Sequence, residues 1–168
     1  NKRILMALAV LLTMFSVASH AAVTNIAVNG DFETGDYTGW TQFPGSLGEA
    51  GQTIAAGNPG SAARLEENDP AATLIKQANL RPGEWTEGDQ IDIKFDIRGA
   101  ALAGGVLFAE FFSEFSGGGT SKAEILGGGP IFPDANPDTW TTYEFSATVG
   151  PDSSGGVTLQ FNVACGGD

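Results

Sequence analysis

Three carboxylates near the start of the chain are suited to binding a metal ion. Asp31, Glu33 and Asp36 lie within six residues of one another, and calcium prefers hard oxygen ligands of this kind. The surrounding segment, NGDFETGDYTGW at residues 29–40, is rich in turn-forming residues. Its Phe32 and Trp40 are large enough to anchor both ends in a core. The residues alone leave two interpretations open: a calcium loop, or a polar loop with two aromatic anchors and no ion.

A second set of side chains has the chemistry of a sugar-binding surface. Such a surface needs aromatic rings that stack on the C–H faces of sugars, surrounded by amide and charged groups that bind hydroxyls. The polar faces of three predicted strands supply these groups; they are Asp96, Arg98, Glu110, Phe112, Gln160 and Asn162. We predict that they share one sheet surface. The alternative is an ordinary solvated face, with the ring of Phe112 covered by a loop.

The three tryptophans lie in different sequence contexts. Trp85 follows the turn at Pro82-Gly83, so it could be a loop platform for a sugar or a cap over the edge of the core. Trp40 and Trp140 lie at strand entries beside core-patterned residues, and we predict structural roles for both.

Catalysis is not expected. Glycosidases need two carboxyls that are about 5–9.5 Å apart. Glu110 and Glu114 are four residues apart on one predicted strand, which separates them by ~13 Å, and Asp92 and Asp96 have the same spacing. His20 is the only histidine and belongs to a predicted leader, so histidine triads and most zinc sites are excluded. We therefore predict that the chain is not an enzyme.

Alternating hydrophobicity predicts an all-β protein. In residues 90–98, 143–149 and 157–165, apolar and polar residues alternate, with Ala164 the one exception, which is typical of antiparallel strands with one buried face. Shorter or weaker patterns predict four further strands, at residues 24–28, 40–43, 61–65 and 72–80. Residues 45–60 contain few large apolar side chains, and we predict mostly loop there.

Residues 106–115 fit two patterns. Phe108, Phe111, Phe112 and Phe115 form a helical stripe. The high strand propensity of phenylalanine and the flanking glycines favour a strand instead. We predict a strand.

The first 21 residues have the features of a secretory signal peptide. Lys2-Arg3 precede an apolar stretch, and Ser19-His20-Ala21 resembles a cleavage site, which favours a cleaved leader over a membrane anchor. Removing it leaves 6 basic and 20 acidic residues, a net charge of −14. Nucleic acids and anionic membranes are then poor partners, and a neutral polysaccharide is favoured over an anionic one. A secreted or periplasmic protein is expected.

The opening segment also carries a family resemblance. The pattern N-x-x-x-N-G-D-F-E-x-G-x-x-x-G-W at residues 25–40 resembles the start of carbohydrate-binding modules of the family 4/9 type. Weaker similarity extends to GSAARL at residues 60–65 and DTWTTY at residues 138–143. The resemblance implies an antiparallel jelly-roll β-sandwich spanning residues 22–168, often joined to a polysaccharide-degrading enzyme. It also implies a structural calcium ion held in part by Glu33; our candidate ligands are Asp31 and Glu33, with Asp36 as a third.

Such modules end with a closing strand that this sequence does not contain, so we interpret the chain as a C-terminally truncated fragment. Cys165, the only cysteine, is then either a small buried hydrophobe or half of a disulfide whose partner lies outside the fragment. The predicted function is a secreted polysaccharide-binding module that holds an enzyme or a cell surface against a glycan. The alternative is a structural or adhesive β-sandwich without sugar specificity.

Overall fold

The computed structural model describes residues 24–102 and 104–166. The predicted leader lies outside the described residues. Within them, nine strands form: β1 (Thr41–Phe43), β2 (Gln52–Ala56), β3 (Ser61–Leu65), β4 (Ala71–Leu80), β5 (Gln90–Ile97), β6 (Gly105–Glu114), β7 (Thr120–Ile125), β8 (Thr141–Thr148) and β9 (Gly156–Cys165). The regular helical structure consists of two short 3₁₀ turns, Gly48–Gly51 and Leu126–Gly128. No helix in these residues is long and apolar enough to cross a bilayer.

One layer of the fold is a five-stranded antiparallel sheet with the order β1–β4–β9–β6–β7. β9 is its central strand, and Cys165 lies opposite both Ala71 of β4 and Gly105 of β6. The ladder between β4 and β9 shifts register between Gln77 and Leu80. β9 therefore holds the sheet together, with a long ladder on each of its two sides.

The second layer consists of two separate strand pairs. β2 pairs with β3, and β5 pairs with β8, both antiparallel. A cleft of about 900 Å³ lies between the two pairs, with side chains of the five-stranded sheet, such as Leu159 and Phe161, among its lining residues. The fold is therefore an all-β sandwich, as predicted.

The core lies between the layers and follows the predicted alternation. Its larger cluster contains residues from both layers, and its buried members are Ile93, Ala109, Phe111, Leu126, Ile131, Ala147, Val149 and Val157. In a second cluster the rings of Phe32 and Trp40 stack 5.4 Å apart against Ile75. Both aromatic anchors of the opening segment are thus buried, as expected from their size.

The stretch with two patterns forms a strand, Gly105–Glu114, and not a helix. β6 places Ala109, Phe111 and Ser113 in the core and leaves Phe108 and Phe112 half-buried on the opposite face. β9 pairs with β6 along its whole length, and β7 pairs with its second half, Glu110–Glu114. The prediction of a strand was correct.

Two local predictions were wrong, and one strand was not predicted. Residues 24–28 form no strand; instead the backbone of Val28 bonds the side chain of Gln77. Gln52–Ala56, inside the predicted loop, forms β2, because it pairs with every residue of β3. Thr120–Ile125 forms the unpredicted edge strand β7, whose mostly polar and small residues carry no clear alternation.

Candidate functional site

The pairing of β6 with β9 brings four of the predicted sugar-binding residues together. Glu110 lies opposite Gln160, and Asn162 lies opposite Phe108, two residues before Glu110. Their side chains alternate with core residues, so they point away from the core. We call this surface the outer sheet face; it comprises Phe43, Leu74, Lys76, Phe108, Glu110, Phe112, Gln160 and Asn162.

The polar centre of the outer sheet face is ordered by a hydrogen bond. Gln160 Nε2 donates to Glu110 Oε2 over 2.6 Å. The bond uses one carboxylate oxygen and leaves the other oxygen and the amide carbonyl as further hydrogen-bonding groups. Asn162 Oδ1 is enclosed and has no hydrogen-bond partner among the described residues. The Glu110–Gln160 pair is therefore a preordered group suited to pairing with hydroxyls.

Aromatic rings flank this polar centre. Phe108 and Phe112 lie on β6, and both are half-buried. Phe43, on the edge strand β1, is 42% exposed, and Lys76 Nζ lies 5.3 Å from its ring centroid. Sequence reasoning had selected Phe112 but not Phe108, Leu74, Lys76 or Phe43. The alternation of residues 105–114 contained the signal for Phe108, which shares the face of Phe112.

Asp96 and Arg98 do not share this surface, which corrects the prediction of a single sheet face. β5 belongs to the second layer, so both residues line the cleft instead. Asp96 accepts a 2.5 Å hydrogen bond from the hydroxyl of Thr142. The guanidinium carbon of Arg98 lies 4.9 Å from the ring centroid of Trp140. A separate polar rim therefore forms on the other side of the molecule.

Trp85 packs against the core and does not form an exposed platform for a sugar. Its indole Nε1 donates to Leu80 O over 2.9 Å, and its ring contacts the larger core cluster. Of the two interpretations that the sequence left open, the cap over the core edge matches this placement. Trp40 is buried, whereas Trp140 is half-buried at the cleft.

The three carboxylates of the opening segment are not equivalent. Asp31 and Glu33 both line the cleft, and Glu33 Oε1 accepts a 2.5 Å hydrogen bond from Ser61 N. Gly60 makes room for this carboxylate, since a Cβ there would lie 1.9 Å from Glu33 Oε1. Asp36 instead caps its own loop. Hydrogen bonds from Thr38, and to a smaller extent from Thr34, lower the pKa of its carboxyl.

The donor set for calcium is therefore small. The described residues contain no group of three or more His, Cys, Asp or Glu side chains placed to hold a metal. A calcium ion at this loop would be held by Asp31 and Glu33 and would need backbone carbonyl oxygens to complete its coordination. Both side chains are carboxylates, the ligand type that calcium prefers, whereas Asp36 is not among the residues that line the cleft.

Comparison with known proteins identifies the class of fold. No family model and no curated protein sequence matches the chain. Among solved structures, the fold is similar to TmCBM61, solved in complex with beta-1,4-galactotriose. The TM-score is 0.58 at 17% identity, covering 87% of this chain and 92% of that one. The protein thus has the fold of a carbohydrate-binding module, while membership of the family 4/9 type remains a prediction.

Two further solved structures are similar. The enzymatically active domain of bacteriophage CBA120 tailspike protein 4 gives a TM-score of 0.63 at 16% identity over 84% of this chain. The match spans only 19% of that tailspike chain. The CBM22-2 xylan-binding domain from Paenibacillus barcinonensis Xyn10C gives a TM-score of 0.49 at 14% identity, covering 82% of each chain.

Proposed function

We propose that this protein is a secreted, noncatalytic module that binds a polysaccharide on the outer sheet face. The observation that carries this proposal is the hydrogen-bonded pair of Glu110 and Gln160, which lies between the half-buried rings of Phe108 and Phe112. Rings stack on the C–H faces of sugars, and the amide and carboxylate groups take hydroxyls. The sugar-binding neighbour with the same fold supports this assignment.

The acidic charge favours a neutral glycan. The chain carries 20 acidic residues against 8 basic ones, and Glu110 lies in the centre of the outer sheet face. The outer sheet face would bind its glycan weakly, because stacking on a few sugars must offset the conformational entropy that a flexible polysaccharide loses on binding. The module's role would be to hold an associated enzyme, in the same full-length protein, or a cell surface against the glycan.

A structural calcium ion at the opening loop is a second part of the proposal. Asp31 and Glu33 would hold it at the cleft, next to the β2–β3 turn to which Glu33 is already hydrogen-bonded. When bound, the ion would fix the loop against the sandwich. The ion would take no part in glycan binding, because the cleft and the outer sheet face lie on opposite sides of the sandwich.

Affinity electrophoresis tests the polysaccharide proposal directly. The purified chain is run through gels containing laminarin, xylan, galactan, cellulose derivatives, agar or alginate, with serum albumin as a control for nonspecific retardation. Retardation in a neutral glycan gel is expected. Free migration in every gel would overturn the proposal in favour of a structural or adhesive sandwich.

A further inference from the structure

The β2–β3 hairpin has no strand neighbour in its own layer. Among the residues that the structure describes, β2 and β3 pair only with each other. The base of the hairpin is formed by Gln52 and Leu65, which lie opposite each other, and its tip is the turn at residues 56–61. Because no adjacent strand fixes the hairpin, its position depends on side-chain contacts at the base and at the tip.

The base is held by buried and half-buried groups. Gln52 is 5% exposed, and its Nε2 donates to backbone carbonyl oxygens of β1 and β4 over 3.2 and 2.8 Å. The hydroxyl of Tyr37 lies 3.0 Å from Thr53 O and 3.2 Å from Arg64 O, so it contacts both strands. Moving the base would leave the buried amide of Gln52 unpaired, which is costly. The base is therefore fixed to the rest of the sandwich.

The tip is held by exposed side chains instead. On the side of the opening segment, Ser61 N donates to Glu33 Oε1 over 2.5 Å. On the opposite side of the cleft, Asn58 Nδ2 donates to Asp96 Oδ2 over 3.5 Å. Glu33, Asn58 and Asp96 are all exposed, so water can replace these hydrogen bonds at little cost.

A third hydrogen bond joins the tip to the far side of the cleft. The guanidinium of Arg98, which directly follows β5, donates to Ala56 O over 3.4 Å. The same guanidinium lies over the ring of Trp140, which places Arg98 within reach of the tip. The tip thus spans the cleft, with one hydrogen bond to the opening segment and two to the end of β5.

We propose that this tip is a flap that swings about the anchored base of the hairpin and opens the cleft. Glu33 latches the flap on one side, and Asp96 and Arg98 latch it on the other. Opening uncovers apolar side chains that line the cleft, such as Leu159 and Phe161. Because the three latch bonds hold one element, loss of a bond on either side raises the population of the open state. The flap is a feature of the cleft and is independent of glycan binding on the outer sheet face.

Amide hydrogen exchange followed by NMR tests the flap. The Ser61 amide is the reporter, because its hydrogen-bond partner lies outside the hairpin and is lost on opening. The measurement is made in chelator, so that no metal ion holds Glu33. In the parent protein, the Ser61 amide is expected to exchange at least about tenfold faster than the amides of the central strand β9. A Ser61 amide that exchanges as slowly as those of β9 would overturn the inference.

Two variants at the end of β5 test the latch on the far side. Asp96→Ala removes the hydrogen bond to Asn58 and leaves the partner of Ser61 in place. It is expected to speed exchange of the Ser61 amide about three- to tenfold, while the β9 amides keep their rate. Arg98→Ala should act in the same direction, because it removes an independent hydrogen bond to the tip.

Lys94→Ala is the matched control. Lys94 also lies on β5 and lines the cleft, but its ammonium is bonded to Glu144 of β8. The variant should change exchange of the Ser61 amide less than about twofold. Unchanged Ser61 exchange in both Asp96→Ala and Arg98→Ala would overturn the flap. An equal effect of all three variants would also overturn it, because that result would show a general loosening of the cleft.

Discussion

The side-chain amide of Gln77 is hydrogen-bonded to both backbone groups of Val28. The Val28 N–H donates to Gln77 Oε1 over 3.0 Å, and Gln77 Nε2 donates back to Val28 O. Gln77 is only 2% exposed. The Gln77 side chain thus takes the two backbone hydrogen bonds of Val28 that a neighbouring strand would otherwise make. It also holds the opening segment against the five-stranded sheet.

Gln77→Ala is expected to lower the free energy of unfolding by about 2–4 kcal/mol, because it leaves a cavity and two unpaired backbone groups. Urea denaturation measures the change. Gln90→Ala is the matched control: Gln90 is an exposed glutamine hydrogen-bonded to Thr148 over 2.9 Å, and its loss should cost less than about 0.5 kcal/mol. Equal losses for the two variants would show that Gln77 does not hold the segment.

Gln160→Ala is expected to reduce retardation in the glycan gel, because it removes an amide from the centre of the outer sheet face and frees Glu110 from its hydrogen bond. Asp96→Ala is the control, since Asp96 was predicted for the same surface but lies at the cleft. Its retardation should match that of the parent. If Asp96→Ala lost retardation and Gln160→Ala kept it, the glycan site would lie at the cleft.

Calcium is expected to raise the melting temperature of the parent protein relative to chelator. Glu33→Gln should abolish that difference, whereas Asp36→Asn should keep it, because the Asp36 carboxylate is used within its own loop. The comparison must be the calcium-minus-chelator difference, since Glu33 also accepts the Ser61 N–H and its loss lowers stability in either buffer. Identical parent melting curves with and without calcium would remove the ion from the proposal.

Stability should depend on Glu67 at acid pH. Burial raises its pKa, but hydrogen bonds from Ser46, Asp69 and Asn68 outweigh this and lower the pKa from 4.5 to about 2. A carboxyl whose pKa is lower in the folded state stabilises the fold above its unfolded pKa and loses that contribution as pH falls through the folded value. Glu67→Gln should therefore melt below the parent at pH 7.

Melting curves from pH 7 to pH 2 check this expectation. The gap between parent and Glu67→Gln should be constant down to about pH 5 and should close toward pH 2. A gap that stays constant over the whole range would show that the variant acts through packing and not through the charge of Glu67.

The sequence predicted strands best where one face is buried along the whole strand. Ile91, Ile93, Phe95 and Ile97 alternate with charged residues, and all four contact the larger core cluster. β2 and β7 were missed because their small and polar residues carry no such alternation. Residues 24–28 resembled a strand, but the Gln77 side chain took the place of a strand partner, and a local pattern cannot reveal that.

The sequence by itself determined the all-β class, the inward faces of the long strands and the aromatic anchors Phe32 and Trp40, because these depend on the order of apolar residues along the chain. The tertiary structure alone decided which polar faces meet. Glu110 and Gln160 are 50 residues apart, yet they are hydrogen-bonded, whereas Asp96 lies in the other layer. The alternation of residues predicts that a side chain points away from the core. Only the pairing of distant strands determines on which side of the sandwich that side chain lies.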